Sequence, residues 1–279
     1  MLDLGIVILN WNTRDLLRDC LRSVYAAQAA PGFRVCVVDN ASTDASAAMV
    51  RAEFPQALLV ASPSNGGYAA GNNLGLRALN FGLGRTDGPR YALLLNPDTL
   101  PAEGAIDRLI AVLDAMPGVA VAGPRIVDAG GRAELSYGAM IGPFTELRQK
   151  LLTHGHERHW PLIAGRVQRA SRHASFPDWV SGACLLIRRA DLEAAGLLDE
   201  RFFLYTEDVD LCASVRRRGR AVLFAADVEI QHLRGRSAGA TTAAAYRRSQ
   251  LAFYAKHHPA WLPWLRAYLK VRGELPDNS

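Results

Sequence analysis

The sequence predicts an α/β fold in which a central, mostly parallel sheet is flanked by helices. Three observations support this class. Short apolar runs rich in β-branched residues alternate with segments of helical periodicity over the first half of the chain. Three of these runs end in clusters of Asn and Asp. Hydrophobic residues make up 49% and charged residues 21% of the chain, which is typical of a globular domain with a core.

The first half of the chain is predicted to form repeated strand–helix units. Leu4–Leu9 is continuously apolar, as expected of a strand buried on both faces, and Thr13 suits the cap of the helix that follows. Further strands are predicted over Phe33–Val38, Leu58–Ala61, Tyr91–Leu95 and Val119–Ala122. Further helices are predicted from Thr43, over Ala69–Leu79 after a turn at Asn65–Tyr68, and from Pro101, which suits a first helical position.

The second half departs from this pattern. Residues 143–178 are rich in Arg and His, have weak periodicity, and are predicted to form a long, partly mobile loop that exposes His154, His156 and His159. The elements predicted beyond it are a strand at Trp179–Ile187, helices at Ala190–Gly196 and Asp208–Arg218 (capped by Thr206), strands at Ala221–Ala225 and Val228–His232, and a helix at Ala240–His257. The amphipathic tail Trp261–Val271 either packs on the domain or contacts a membrane surface.

Charge and cysteine content narrow the classes of function. The net charge of +5 is uneven, because residues 1–139 carry −2 and residues 140–279 carry +7, and a basic second half suits a diphosphate, an anionic lipid or nucleic acid. Nucleic acid is disfavoured because the sequence has no recognition motif with exposed aromatics. The four cysteines, which form no C-x-x-C pair, are expected to be buried: Cys20, Cys36, Cys184 and Cys212.

The sequence also predicts where the protein resides. No apolar run is long enough to cross a bilayer, and the first ten residues lack the features of a signal peptide. We therefore expect a cytoplasmic protein, which the tail could hold at the inner face of the membrane.

Polar residues at the ends of predicted strands mark a ligand crevice. Asn10–Asn12, Asp39–Asn40 and Asn96–Asp98 each follow an apolar strand, and ligands of parallel sheets bind beyond the carboxyl ends of the strands. Asp98 could hold a divalent cation that bridges nucleotide phosphates, or it could cap the next helix in an ordinary turn. The Asp39 carboxylate could accept a hydrogen bond from a nucleotide base or from a ribose hydroxyl. Alternatively, it could form an Asx turn.

Two further candidates lie in the second half. Glu207 and Asp208 start a helix after an aromatic run, where desolvation would raise the pKa of a carboxyl group and suit it to act as a base; alternatively, these acids complement the helix dipole. His232 could ligate a metal or be an ordinary polar histidine. The loop that follows it contains Arg236, which suits phosphate oxygens.

In this order the motifs resemble those of the family 2 glycosyltransferases, which have the GT-A fold, and in particular their rhamnosyltransferase-like branch. Each motif is weak alone, but the ordered set is specific and spans about residues 4 to 240. The segments that carry the resemblance are Ile6–Asn12, Val38–Asp44, Asn65–Asn73, Leu95–Asp98, Gly182–Cys184 and Phe203–Leu211.

The resemblance implies an inverting transfer of a sugar, rhamnose being one candidate, in polysaccharide or glycolipid biosynthesis. The donor would be a dTDP- or UDP-linked sugar, and the acceptor a saccharide or a lipid-linked hydroxyl. Asp208 would be the general base, with Glu207 the less favoured choice, and Asp98 and His232 would ligate Mg²⁺ or Mn²⁺. The implied nucleotide-binding residues are Asn10, Asn12, Asp39, Asn65, Asn73, Asn96, Asp98 and Arg236.

One residue departs from the family pattern. Asn96 stands where many members have Asp, so we expect the cation to enter mainly with the nucleotide sugar. The implied division of the chain is a GT-A domain over residues 1–240, with a nucleotide-sugar half (1–128) and an acceptor and catalytic half (129–240), followed by a C-terminal helical extension (241–279).

Three alternatives were weighed against this interpretation. A Rossmann-type dehydrogenase would need G-x-G-x-x-G after the first strand, where Asn10–Thr13 stand instead. A nucleotidyltransferase would need a basic, glycine-rich loop at the same place. A non-catalytic sugar-nucleotide-binding protein is the third alternative.

Overall fold

An eight-stranded mixed sheet lies at the centre of the molecule. The computed structural model describes residues 3–27, 32–82, 84, 87–158, 160–233 and 240–276. The strands of this sheet are β1 (Leu4–Asn10), β2 (Phe33–Asp39), β3 (Leu58–Ala61), β4 (Tyr91–Leu95), β5 (Thr99–Pro101), β6 (Val119–Val127), β9 (Cys184–Arg188) and β10 (Ala221–His232). They are arranged in the order β3–β2–β1–β4–β9–β6–β10–β5. Two short strands, β7 (Tyr137–Gly138) and β8 (Trp179–Val180), pair separately.

Helices cover both faces of the sheet. They are α1 (Arg14–Ala27), α2 (Ser46–Glu53), α3 (Gly67–Ala78), α4 (Ala105–Ala115), α5 (Pro143–Glu157), α6 (Pro161–Ala170), α7 (Arg189–Ala195), α8 (Glu207–Arg216), α9 (Ala240–His257) and α10 (Leu262–Val271), with a 3₁₀ turn at Pro259–Trp261. In β1, Ile6 and Ile8 pack with α1, α2 and α4, whereas Val7 packs with α3 and α8 on the other face. This two-sided burial explains the continuous apolar run at Leu4–Leu9.

Strand direction sets the position of the site. β1 is parallel to both of its neighbours, β2 and β4, so that Asn10 is aligned with Asp39 and Ile8 with Leu95. The polar residues that follow these three strands therefore lie at one edge of the sheet, as predicted. The antiparallel strand β9 lies between β4 and β6, and β10 runs parallel to β6.

Two predicted helix starts in the first half are wrong. The residues after Thr43 continue a turn, so α2 begins only at Ser46. In this turn the Asp44 carboxylate accepts a hydrogen bond from the Arg14 backbone N–H at 2.8 Å, and Ala45 has a left-handed backbone conformation (φ 63°). Pro101 lies in β5, which pairs antiparallel with β10, and α4 begins at Ala105. The predicted cap is also different, because the Thr13 hydroxyl donates to Asn10 Oδ1 at 2.7 Å.

The prediction of a long loop over residues 143–178 is wrong, because this segment contains the helices α5 and α6. A proline stands at the beginning of each helix, where its missing N–H is not needed. Most side chains of both helices are exposed or half-buried, which explains why their apolar pattern is weak. His154 is exposed as predicted, but His156 is half-buried, with Nε2 2.8 Å from the Ala133 carbonyl oxygen. His159 lies outside the described residues.

Elements in the remainder of the chain largely follow the prediction. Trp179–Ile187 is divided by a turn into β8 and β9, while the two strands predicted over residues 221–232 join into β10, with a register shift between Ala225 and Glu229. Thr206 precedes α8, but its side chain makes no capping bond. The four cysteines are free and buried, as expected. Within the described ranges, no helix combines the length and apolar character needed to cross a bilayer.

Close packing of α3 on β1 and β2 gives a stability prediction. A Cβ atom at Gly75 would lie 2.5 Å from Val7 Cγ1 and 2.9 Å from Val38 Cγ2. We expect Gly75→Ala to lower the free energy of unfolding by about 1–3 kcal/mol, because these buried valines must move. Gly165→Ala is the matched control, since open space surrounds that position in α6, and it should stabilise by about 0.5–1 kcal/mol. Urea unfolding measures both; a Gly75→Ala protein as stable as the parent would contradict the packing argument.

Candidate active site

The ends of β1 and β2 form a buried polar cluster. Asn10 Nδ2 donates to Asp39 Oδ1 at 3.2 Å and to Ser42 Oγ at 3.0 Å. The other Asp39 oxygen accepts the Ser42 backbone N–H at 3.2 Å, which is the Asx-type turn considered for this position. Asn12 Oδ1 accepts the Thr43 backbone N–H at 2.7 Å. Asn10, Asn12 and Asp39 are thus brought together, and their contacts hold the two loops in a single conformation.

A second polar cluster joins β2 to α3. Asn65 Oδ1 accepts from Asn40 Nδ2 at 2.8 Å and from the Gly67 backbone N–H at 2.9 Å. Gly67 has φ of +82°, and a Cβ there would overlap the carbonyl of Phe203. Only glycine suits both this backbone conformation and this contact. The turn at Asn65 therefore connects the Asp39 loop to the segment that precedes α8.

Asn73 makes different contacts from those of the other predicted nucleotide-binding residues. It is buried in α3, and its Nδ2 donates to the Leu198 carbonyl at 2.8 Å and to Glu200 Oε1 at 2.9 Å. Its Oδ1 accepts the Leu198 backbone N–H at 3.1 Å. These bonds hold α3 to the loop before α8, so the side chain acts in the fold. Arg236 lies outside the described residues.

The end of β4 places Asp98 beside His232. The pairing of Thr99 with His232 between β5 and β10 sets this position. Nε2 of His232 lies 3.1 Å from Asp98 Oδ1, and Nδ1 lies 3.1 Å from Glu134 Oε2. All three side chains are largely buried. Burial would lower the pKa of His232, but bonds to the two carboxylates raise it to about 9.

Glu134 was not predicted from the sequence. It follows the turn after β6, carries no motif, and is 98 residues distant from His232 along the chain. No local pattern could have indicated it, because only the tertiary fold brings it to the imidazole. A carboxylate that accepts from one ring nitrogen of a histidine fixes the tautomer and leaves the other nitrogen for a metal.

The side chains fit a cation that is shared with a diphosphate. His232 Nε2 and Asp98 Oδ1 are separated by 3.1 Å, about the spacing of neighbouring ligand atoms on one cation with bonds of ~2.1 Å. Across the described ranges, no group of three or more His, Cys, Asp or Glu side chains is arranged to hold an ion. Two protein ligands would leave the other positions of a cation to phosphate oxygens and water.

The start of α8 presents two carboxyl groups of different character. Asp208 is half-buried, with Oδ2 accepting the Gly182 backbone N–H at 2.8 Å and Oδ1 accepting the Val209 backbone N–H at 2.8 Å. Glu207 is buried, and its Oε2 has no hydrogen-bond partner among the described residues. Burial, then the charge of Asp208, raise the pKa of Glu207 well above its usual range. Burial also raises the pKa of Asp208, although backbone N–H groups oppose this.

The third acid of this helix has a structural role. Asp210 is buried and accepts from Lys256 Nζ at 2.8 Å, and its other oxygen lies 2.7 Å from Nε2 of His257. These contacts hold α9 against α8. Asp210 therefore belongs to the packing of the C-terminal helices, whereas Asp208 faces the sheet edge.

Backbone groups of two consecutive residues, Gly182 and Ala183, connect the site residues. The Gly182 N–H donates to Asp208, while the Ala183 carbonyl accepts the Asn96 backbone N–H at 2.9 Å. The Gly182 carbonyl in turn accepts from the Tyr68 hydroxyl at 2.7 Å. Asn96, which directly follows β4 and precedes Asp98 by two residues, thus lies on one side of this segment, and Asp208 lies on the other.

Comparison with known proteins shows the family of the chain. The sequence model of "Glycosyltransferase like family 2" matches residues 3–262. The N-acetylglucosaminyl-diphospho-decaprenol L-rhamnosyltransferase of Mycobacterium tuberculosis is 28% identical over 99% of this chain and 93% of its own length. The low-salt glycan biosynthesis hexosyltransferase of Haloferax volcanii is 24% identical over 77% of this chain and 62% of its own length.

Solved structures share the fold. A mannosyltransferase from Pyrobaculum calidifontis, in complex with GDP-mannose and Mn²⁺, superposes with a TM-score of 0.61 at 19% identity, over 95% of this chain and 68% of that one. TarS of S. aureus with UDP-GlcNAc gives 0.59 at 15% identity, over 91% and 67% of the two chains. The predicted GT-A fold is confirmed. The chain belongs to the glycosyltransferase like family 2, and it is a glycosyltransferase.

Proposed function

We propose that the chain transfers a sugar from a nucleoside diphosphate to a hydroxyl of a lipid-linked saccharide, with inversion at the anomeric carbon. Rhamnose is the first candidate for the sugar, because the Mycobacterium tuberculosis relative is named as a rhamnosyltransferase and matches over 99% of this chain. The observation that carries the proposal is the half-buried Asp208 carboxylate, held by the same Gly182–Ala183 segment that holds the end of β4.

The division of the chain follows from this proposal. Residues 1–128 would bind the nucleotide sugar, residues 129–240 would bind the acceptor and supply the base, and residues 241–279 would form a helical extension. Asp39 is the proposed contact of the nucleotide base, with Asn10 and Asn12 holding its loop. Asn65 would shape the neighbouring wall.

Asp98 and His232 are the proposed protein ligands of Mg²⁺ or Mn²⁺. The cation, when bound, neutralises charge on the departing diphosphate. His232 must lose the proton on Nε2 before that nitrogen can bind a metal. The N–H that remains at Nδ1 donates a hydrogen bond to Glu134. The raised pKa of His232 disfavours this step in the free protein, which supports entry of the cation together with the donor.

Asp208 is the proposed general base. It is half-buried rather than enclosed, and burial raises its pKa above the usual range, which makes the carboxylate a stronger base toward a sugar hydroxyl. The deprotonated oxygen attacks the anomeric carbon on the face opposite the diphosphate, and this single displacement inverts the configuration. Burial raises the pKa of Glu207 well above its usual range and so favours its neutral form, which makes Glu207 the less suitable base.

Substitutions at the two acids distinguish their roles. We expect Asp208→Asn to lower kcat by about 10²–10⁴-fold while nucleotide binding persists, because the amide keeps the shape and loses the basic oxygen. Glu207→Gln should retain most activity, because burial already favours the neutral form of Glu207 and glutamine is neutral and of similar shape. Release of nucleoside diphosphate measures both. Near-normal turnover of Asp208→Asn, or a loss confined to Glu207→Gln, would remove Asp208 as the base.

The donor site predicts a metal-dependent thermal shift. We expect dTDP or UDP with Mn²⁺ to raise the melting temperature, since a ligand at 100 times its Kd stabilises by about 2.7 kcal/mol. Asp98→Ala should abolish the Mn²⁺-dependent part of the rise. Asp227→Ala, at an exposed acid of β10, is the matched control and should behave like the parent. An undiminished Mn²⁺ effect in Asp98→Ala would contradict the proposed ligand.

We also propose that the extension contacts a membrane surface. Trp264 is 71% and Val271 89% exposed on α10, which also bears Lys270. Phe144 at the start of α5 is 79% exposed, and its ring lies 6.0 Å from that of Trp261, so α5 continues the same surface. Exposed aromatic and basic side chains together suit the interface of an anionic bilayer.

Vesicle co-sedimentation tests this contact. We expect the parent protein to bind vesicles that contain anionic phospholipid. The double variant Trp264→Ser/Phe144→Ser should reduce the bound fraction at least threefold, because less apolar area then enters the membrane interface. Met116→Ser, which changes another exposed apolar side chain after α4, is the control and should bind normally. Equal binding by all three proteins would exclude this surface.

A further inference from the structure

A cavity of about 390 Å³ lies beneath α5 and α6, outside the site described above. Its walls come from β7, the two helices and the segment Ser175–Asp178. Most of the lining is apolar, and it includes Leu152, Val167 and Phe176. Phe176 is itself largely exposed, so the apolar wall extends to the surface.

The cavity carries uncompensated positive charge. Arg148 of α5 and Arg166 of α6 both line it, and both are exposed. No ion pair within the described part of the chain involves either guanidinium group. The one acid in the lining, Asp178, is already engaged, because Oδ1 pairs with Arg216 at 2.6 Å and Oδ2 accepts the Met140 backbone N–H at 2.8 Å.

This combination specifies the chemical class of the ligand. Two guanidinium groups at an apolar cavity match a molecule that joins a phosphate or diphosphate to a hydrocarbon chain, because guanidinium binds phosphate oxygens bidentately. A nucleotide would require polar groups for its base and ribose, and the lining supplies few of these.

The cavity is also close to the catalytic residues. Asp178, in the cavity wall, is four residues before Gly182, so the Cα atoms of these two residues are at most about 14 Å apart. The Gly182 backbone N–H donates to Asp208. Leu135 in the wall directly follows Glu134, which contacts His232. The cavity wall is therefore joined along the chain to the two residues that contact Asp208 and His232.

We infer that this cavity binds the lipid-phosphate part of the acceptor, with Arg148 and Arg166 contacting the phosphate oxygens and the apolar wall receiving the first part of the hydrocarbon chain. The inference rests on the proposed function, since it assigns the acceptor side of the same site. The proposed membrane surface around Phe144 lies on α5 as well, so a lipid could enter the cavity from that side.

Binding of farnesyl diphosphate, measured by calorimetry, tests the assignment. We expect the parent protein to bind farnesyl diphosphate at least tenfold more tightly than either pyrophosphate or farnesol, because the cavity recognises both parts. Arg148→Gln with Arg166→Gln should weaken farnesyl diphosphate binding at least tenfold. Arg169→Gln, which removes an exposed charge one turn away on α6 and outside the lining, should not.

The outcomes separate this inference from the proposed function. The double variant should keep the melting temperature and the thermal shift with UDP or dTDP and Mn²⁺, while the KM for a lipid-linked acceptor rises and kcat changes little. Unchanged farnesyl diphosphate binding in the double variant, or tighter binding of a short-chain anionic phospholipid than of farnesyl diphosphate, would overturn the acceptor assignment. Loss of the nucleotide shift in the double variant would assign the arginines to the donor. Absence of that shift in the parent would instead contradict the proposed function.

Discussion

The backbone groups of two consecutive residues, Gly182 and Ala183, hold together the elements that carry the candidate catalytic residues. The Gly182 N–H donates to Asp208 at the start of α8, and its carbonyl accepts from Tyr68 of α3. The Ala183 carbonyl accepts from Asn96 at the end of β4. A side chain at position 182 would collide with the Tyr68 hydroxyl, since a Cβ there would lie 2.9 Å from it. This close approach places the residues proposed for the donor site and the proposed base around one short segment.

Burial shifts the pKa values of the ionisable groups of the site. It raises the pKa of both Glu207 and Asp208, but the backbone N–H groups of Gly182 and Val209 stabilise the charged form of Asp208 and oppose the shift there. His232 shows the opposite effect, because two carboxylates stabilise its charged form despite burial. The stability that this histidine contributes is therefore fully present below its unfolded pKa of about 6.5 and is lost as the pH rises through about 9.

The second half of the chain combines positive charge with exposed apolar side chains. The cavity with Arg148 and Arg166 and the surface at Phe144 and Trp264 both involve α5 or the helices next to it. Both features suit the two parts of an amphiphilic acceptor. The excess of Lys and Arg after residue 140 is consistent with the proposed lipid-phosphate ligand.

The sequence by itself determined the strands of the first half and the edge of the sheet at which Asn10, Asp39 and Asp98 meet. Strand periodicity is local, and parallel strands present their carboxyl ends together. The sequence alone did not predict that helices α5 and α6 form, because most of their side chains are exposed and leave little apolar pattern. Nor could it determine that Glu134 contacts His232 or that Asn73 bonds to Leu198, because only tertiary packing joins residues so distant in the chain. The same packing, rather than residue type, makes Asp208 accessible and buries Glu207 and Asp210.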